Sequence, residues 1–316
     1  MSKLVVSSSP HIRSGVTTTS IMRDVIIALA PACLTSVWVF GLRSLAVMVT
    51  CVLAAVLSEY ICRKILKRSN TISDLSAVVT GLLLAMNLPV TIPLWMAALG
   101  SIIAIVIVKQ LFGGIGQNFV NPALIGRIVL MTSYATQMTT WVDPFYYTQV
   151  DAMTSPTPLV QMANGDTDLP SYLNMLIGMR GGCLGETCIL ALIAGGIYLV
   201  VKRVISPATP IAFIATVGIL SFLAGYDPLY QMMSGGLVLG AVFMATDYAT
   251  TPITTKGKII FGIGCGLITA FIRFFGSLPE GVSFSIIIMN ILTPYIDNFT
   301  SPKPFGTVKE KKGGEA

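Results

Sequence analysis

The sequence predicts an all-α polytopic membrane protein, with about ten transmembrane helices in two inverted five-helix repeats. Three observations predict it. The 316 residues are 54% hydrophobic and only 11% charged, against about 25% charged in an ordinary soluble domain. Apolar runs of roughly 20 residues, the length a helix needs to cross a bilayer, recur along the whole chain. These runs are continuous rather than alternating. In lipid the backbone must satisfy itself, and continuous runs do so as helices rather than as a closed barrel.

The candidate spans in order are 24–41, 44–62, 73–88, 93–112, 119–135, 184–201, 208–224, 231–247, 259–276 and 283–297. The first two are followed by the basic stretch "RKILKRSN" (63–70), which reads as solvated charge. The third runs through "LLLAMNLPVTIP", and the third and fifth are interrupted by polar residues or proline. After the fifth comes a long polar connection, 136–183. "AVFMATDYATTPIT" closes the eighth span, and the tail "KPFGTVKEKKGGEA" follows the tenth. The first-half segment leads into an apolar run ending "KQLFGG", and its second-half counterpart leads into one ending "IRFFGS". Five spans is an odd number, so such a repeat is inverted in the membrane, an arrangement that places ligands at the repeat interface. The chain therefore divides into one membrane domain, 1–316. It has a first repeat at 21–135, an external loop at 136–183, a second repeat at 184–297 and a tail at 298–316.

Basic residues set the orientation. With the N-terminus inside, the inner ends hold Lys3, Arg13, Arg23, Arg63, Lys64, Lys67, Arg68, Lys109, Lys202, Arg203, Lys256, Lys258, Lys303, Lys309, Lys311 and Lys312. The outer side holds Arg43, Arg180 and Arg273, and Arg127 falls within the fifth span. The positive-inside bias then puts both termini in the cytoplasm and the 136–183 loop outside an inner or plasma membrane. Residues 1–20 are polar without an apolar centre, so insertion by internal spans is expected. The net charge of +6 is spread over short loops and is no nucleic-acid signal. The lone His11 lies in the polar N-terminal arm, which argues against a histidine metal site or a histidine-based triad. The six cysteines form no CxxC pair and read as small buried hydrophobes.

Four groups of residues carry chemistry. Asn121-Pro122 opens the fifth span, and a helix start there aims N–H groups at an anion or ring edge. Arg127 follows about 9 Å further along. A charge at that depth needs a partner, either a carboxylate of the bundle or an anionic ligand group. Glu186, with Thr187 beside it in "GGCLGETC", is either a ligand or ion contact or a carboxylate capping a helix start. Asp247, followed by Thr250 and Thr251, ends the eighth span beside a helix break and is a functional candidate. Trp141, Phe145, Tyr146 and Tyr147 are either an interfacial aromatic belt or a stacking surface.

The stretch "DAMTSPT" resembles the pattern D-x-x-[S/T]-G-A-[T/S], whose last hydroxyl takes flavin mononucleotide as a phosphoester from a dedicated flavin transferase. Asp151, Thr154, Ser155 and Pro156 would form the motif and Thr157 the attachment point. Ser155-Pro156 departs from the usual Gly-Ala. Pro156 and Pro158 bracket the threonine, which predicts an extended segment that resists helix formation and exposes the hydroxyl. In order and spacing, "FVNPALIGRIVL", "DAMTSPTPL", "GCLGETCILALIAGGIYLV" and "GGLVLGAVFMATDYATTPIT" resemble the RnfD/NqrB family. Its members are the D membrane component of the Rnf ion-translocating ferredoxin:NAD oxidoreductase and the related B component of the sodium-pumping NADH:quinone reductase. The resemblance covers roughly residues 20–300. It implies a urea-transporter-like fold, covalent FMN and a non-covalent riboflavin. The resemblance does not say which residues hold the riboflavin; Asn121, Arg127, Glu186, Thr187, Asp247, Thr250 and Thr251 are the candidate cofactor contacts read from the residues themselves, with Asp247 and the threonines expected to line that site. It implies a subunit that relays electrons between ferredoxin and NAD while Na⁺ or H⁺ moves, and that is not catalytic alone. Partners would be the A, B, C, E and G components of the Rnf complex, a flavin transferase and lipid. The rival from composition alone is a secondary transporter or channel of the same fold class.

Overall fold

The computed structural model describes residues 15–148, 156–164, 169–276 and 281–302. Among them the elements are helices and turns, with no β-strand. Helix α1 (Thr18–Phe40) starts on a reciprocal cap. The Thr17 hydroxyl accepts from Ser20 N at 3.1 Å, and Ser20 Oγ accepts from Thr17 N at 3.0 Å. Gly41, at φ 72°, turns the chain into α2 (Leu42–Ile65). A side chain could not stand there, since a Cβ would lie 2.9 Å from the Tyr147 ring.

α3 (Ser76–Met86) is short. It stops at Asn87, just before Leu88-Pro89, where the residue preceding proline is pushed out of the helical region. α4 (Leu94–Ile103) runs on as a π-helical segment, Ala104–Gln110. α5 (Pro122–Ser133) is followed by the single turn α6 (Ala135–Met138). The connection then carries α7 (Pro158–Asn164) and α8 (Tyr172–Ile177).

The second half holds α9 (Ile189–Val201), α10 (Ala208–Leu223), α11 (Pro228–Met233), α12 (Leu237–Leu239), α13 (Thr255–Phe275) and α14 (Val282–Thr300). α12 continues as a π turn, Gly240–Met244. Four helices, α1, α2, α13 and α14, are long and apolar enough to cross a membrane. Five more apolar helices are shorter.

Two expected spans differ from the structure. The segment 184–201 becomes helical only at Ile189. Its first residues instead hydrogen-bond the end of α3, with Leu184 N on Leu88 O at 3.0 Å and Gly185 N on Met86 O at 2.7 Å. The segment 231–247 is divided between α11, α12 and the π turn, with a break at Ser234–Gly236. In both places glycines allow close approach where a continuous helix was expected, of backbone at Gly185 and of side chains at Gly235 and Gly236. A Cβ at Gly185 would stand 2.6 Å from Met86 Cβ.

Helix α1 packs on α9, α2 on α3 and α4, α10 on α13, and α5 and α13 on α14. Small residues set the close approaches, as membrane helix pairs require. On α13, Gly262 and Gly266 lie one turn apart against α10, where a Cβ at Gly262 would meet Thr209 O at 2.8 Å. The outer surface is apolar: Leu34 is 71% exposed, Phe222 72% and Phe299 89%. That pattern is a lipid-facing surface and not that of a soluble monomer.

Candidate functional site

The broken segments meet inside the bundle, and the polar residues collect there. Asn121 sits in extended conformation and caps α5, its Oδ1 accepting from Ala123 N at 3.0 Å with Pro122 in the first turn. Its Nδ2 donates to Met244 O at 3.3 Å, at the end of the π turn. The start of α5 is thereby tied to the end of α12. Further along α5, Arg127 is 3% exposed. It donates to Asn87 Oδ1 at 2.7 Å, lies 3.6 Å from Cys183 Sγ, and is 3.5 Å from Glu186 Oε1.

The expected depth penalty for Arg127 is thus met by a carboxylate and an amide of the bundle. Glu186 does not cap a helix. It lies in the non-helical 180–188 stretch and turns inward to Arg127, while Cys188 holds the cap position of α9. Arg180 donates to the Glu186 carbonyl at 2.6 Å. Thr187 is buried and donates to Leu184 O at 3.4 Å, so it braces this turn. A buried ion pair roughly offsets its own desolvation. Its effect here is geometric: it fixes where α5 meets the 180–188 turn.

Toward the ends of α1, α3 and α9 lies a cleft of about 100 Å³. Apolar walls come from Ile21 and Val25 of α1, Val79 and Leu83 of α3, and Phe243. Its polar lining includes Ser76, Lys109, Asn118, Asn121 and Asp247, with Thr80, Thr246 and Tyr248 beside them. Lys109 Nζ lies 2.8 Å from Glu59 Oε2 and 2.6 Å from Ser76 Oγ. Glu59 is fully buried, and Thr71 donates to its other oxygen at 2.9 Å.

Asp247 faces this cleft, but the expected threonines do not. Thr250 Oγ1 donates to Asp247 Oδ2 at 3.2 Å and Thr251 Oγ1 to Asp247 O at 2.7 Å. Both hydroxyls stabilise the turn after the helix break, which keeps them from the cleft. Sequence reasoning missed Asn87, Glu59, Lys109, Ser76 and Asn118. A signal existed for two of them: Glu59 and Lys109 are charges inside apolar runs, which mark function or pairing by default.

Thr157 lies apart from this cluster, on the connection before α7. It is 5% exposed, and its Oγ1 accepts from Val160 N at 3.4 Å. The expected exposed hydroxyl is therefore overturned, and Pro158 opens a helix where it was expected to resist one. Pro158 takes the first helical position, where its missing N–H costs nothing, and Thr157 caps the helix. Pro156 is exposed. Asp151, Thr154 and Ser155 lie outside the described residues. Leu159 of α7 reaches Gly235, where a Cβ would stand 2.7 Å from Leu159 Cδ1 and 3.2 Å from Arg273 Nη2. At Gly236 a Cβ would stand 2.9 Å from Glu186 Oε1. Two adjacent glycines thus join α7 to the Arg127–Glu186 pair.

The aromatic group beside the connection folds back over the α1–α2 turn. Trp38 meets Phe145 edge-on at 5.2 Å, and the Tyr147 hydroxyl donates to Trp38 O at 3.0 Å.

The profile of the NQR2, RnfD, RnfE family matches residues 5–306. The chain belongs to this family. Among similar proteins, the D component of a Na⁺-translocating ferredoxin:NAD⁺ oxidoreductase complex, from Acetobacterium woodii, is 49% identical over 99% of this chain and 98% of its own length. The D component of a proton-translocating ferredoxin:NAD⁺ oxidoreductase complex, from Clostridium ljungdahlii, is 46% identical over 96% of each chain. The D component of an ion-translocating oxidoreductase complex from Haemophilus influenzae is 35% identical over 95% of this chain and 97% of its own. Family membership and the apolar helices together make the chain a multi-pass membrane protein.

Proposed function

We propose that this chain is the flavin-carrying membrane subunit of an Rnf-type complex, relaying electrons between ferredoxin and NAD while a cation crosses the membrane. The observation that carries the reading is the 49% identity to the Acetobacterium woodii D component over nearly the whole of both chains. The two most similar of the relatives named above are called sodium- and proton-translocating respectively, so the coupling ion is left open.

We further propose two inverted halves, α1–α5 and α9–α14. Their first helices pack together, α1 on α9, and so do their last, α5 on α14. That pairing of equivalents is what a two-fold relation produces. Each half also has a short third span, α3 in the first and the divided α11–α12 segment in the second, whose ends touch where Asn87 Nδ2 approaches Met244 Sδ at 3.5 Å.

Two flavin sites belong to the proposal. The cleft beside Asp247 suits a riboflavin ring: apolar walls face its tricyclic body, and Asn118, Ser76, Lys109 and Asp247 offer donors and acceptors for its polar edge. The second site is Thr157, whose hydroxyl would form the phosphoester with FMN. A threonine hydroxyl is a weak nucleophile, so the reaction calls for a transferase. The residues fit on one condition. The cap on Val160 N must open for the transferase to reach Oγ1. When bound, the flavins supply the electron chemistry, and the chain supplies position and electrostatics.

One experiment tests both sites. The complex is purified after co-expression with the transferase and split into denatured polypeptide and released small molecules. The wild-type band fluoresces yellow-green in the gel, and Thr157→Ala abolishes that signal. Asp247→Ala keeps the fluorescent band and loses the released flavin. A fluorescent Thr157→Ala band, or an unchanged released fraction in Asp247→Ala, would sink the corresponding site.

A further inference from the structure

Along the outside of α9 and α10 runs a groove of about 500 Å³ in which every lining residue is apolar, glycine or proline. Ile193, Ile197 and Val201 form one wall and Ile211 and Ile214 the other. At one end lies Ile205, which also lines a second cavity of about 180 Å³. That cavity has a different chemistry: Ser206, Thr209 and Thr251 supply hydroxyls and Lys258 a cation. Lys202 and Arg203 are exposed in the turn just before Ile205. Asp247 lines the other cleft and accepts from Thr250 and Ala249, so it does not neutralise this corner.

We propose that this paired feature is the seat of one anionic phospholipid, with an acyl chain along the α9–α10 groove and the phosphate held by Lys202, Arg203 and Lys258. Two juxtaposed properties argue for it. The groove is an apolar channel suited to a hydrocarbon tail, and the polar cavity it joins at Ile205 carries hydroxyls and the Lys258 cation. A partner helix matches the apolar groove but brings no anionic group to the cationic end. A zwitterionic lipid matches the groove but cancels part of its own phosphate charge. Basic residues at a membrane surface draw anionic lipid in this way, and their long side chains reach the headgroup level.

The test uses the assembled complex, delipidated in detergent and titrated with phosphatidylglycerol or phosphatidylcholine of the same chain length. Native mass spectrometry then counts lipid retained per complex. Wild type retains phosphatidylglycerol in clear preference to phosphatidylcholine. The triple variant K202Q/R203Q/K258Q lowers phosphatidylglycerol affinity by roughly a hundred-fold, at several-fold per lost cation, and erases the preference. Ile211→Trp fills the groove while leaving the cations in place, and reduces retention of both lipids. Equal retention of the two lipids by wild type, or an unchanged preference in the triple variant, overturns the proposal. So does an Ile211→Trp complex that sheds a partner protein while keeping its lipid, since the groove is then a protein interface.

Discussion

Lys109 joins two features that share no sequence neighbourhood. Its ammonium reaches Glu59 of α2 and Ser76 at the start of α3, and the same side chain lines the Asp247 cleft. Glu59 has no exposed surface, so removing the lysine strands a carboxylate in low dielectric. Lys109→Met is expected to cost roughly 3–5 kcal/mol. The lower end applies, because Arg63 stays 3.8 Å from Glu59. Chemical unfolding in mixed micelles measures it, with Lys109→Met/Glu59→Leu expected to recover most of the loss. A double variant as unstable as the single one would mean the lysine acts through something other than that carboxylate. The same residue illustrates what was legible in the sequence. Lys109 reads plainly as a basic residue near one membrane edge. Its partner, 50 positions earlier, cannot be read without the α2–α4 packing.

Among the elements, the short helices of the connection are held by side chains rather than by their own length. The Tyr172 hydroxyl of α8 donates to Asp227 Oδ2 at 2.6 Å, and Asp227 Oδ1 caps α11 through Leu229 N at 2.9 Å. The hydrogen bond from Tyr172 holds the Asp227 carboxyl below its usual range, and the same bond pushes the phenol up to about 12. A depressed acid stabilises the fold above its unfolded pKa and loses that effect as pH falls through its folded value. A raised phenol stabilises the fold below its unfolded pKa of 10.0 and loses it as pH rises through about 12. Tyr172→Phe is therefore expected to speed backbone hydrogen exchange over 172–177 by a constant factor across mid-range pH. The gap from wild type should close in acid as Asp227 protonates. A gap that persists below the Asp227 folded pKa would mean the tyrosine acts through packing alone.

Element identity was legible where one local signal decides it. Asn121-Pro122 marked the start of α5, and the apolar runs marked α1, α2, α13 and α14. The late start of α9 was not legible, because Gly185 takes its place only when Met86 arrives from the other half. Nor was the α7 cap, since Pro158 serves equally as a breaker or as a first helical residue.

At the scale of the whole molecule, α13 is the measuring rod. Its 21 residues span about 30 Å, with Lys256 and Lys258 in its first turn and Arg273 in its last. Leu159, two residues from Thr157, sits at the Arg273 end. The proposed covalent flavin and the basic edge thus lie at opposite ends of one membrane-length helix. Cysteines placed at the exposed Ser301 and Pro156, in a background lacking Cys33 and Cys62, are expected to react with an impermeant maleimide from opposite sides of sealed vesicles. The Ser301 site should face the cytoplasm. Labelling of both from one side would overturn the expected orientation.

The Thr157 cap also bears on how the mature protein is assembled. An Oγ1 that accepts from Val160 N and lies almost wholly out of solvent is a poor target for another enzyme. Under the proposed attachment, flavin loading would have an order in time, before α7 seats against Gly235 or during its brief unseating. On that proposal, a chain that folded ahead of a transferase would be refractory to loading, and the yield of flavin-bearing protein would depend on the race between those two events.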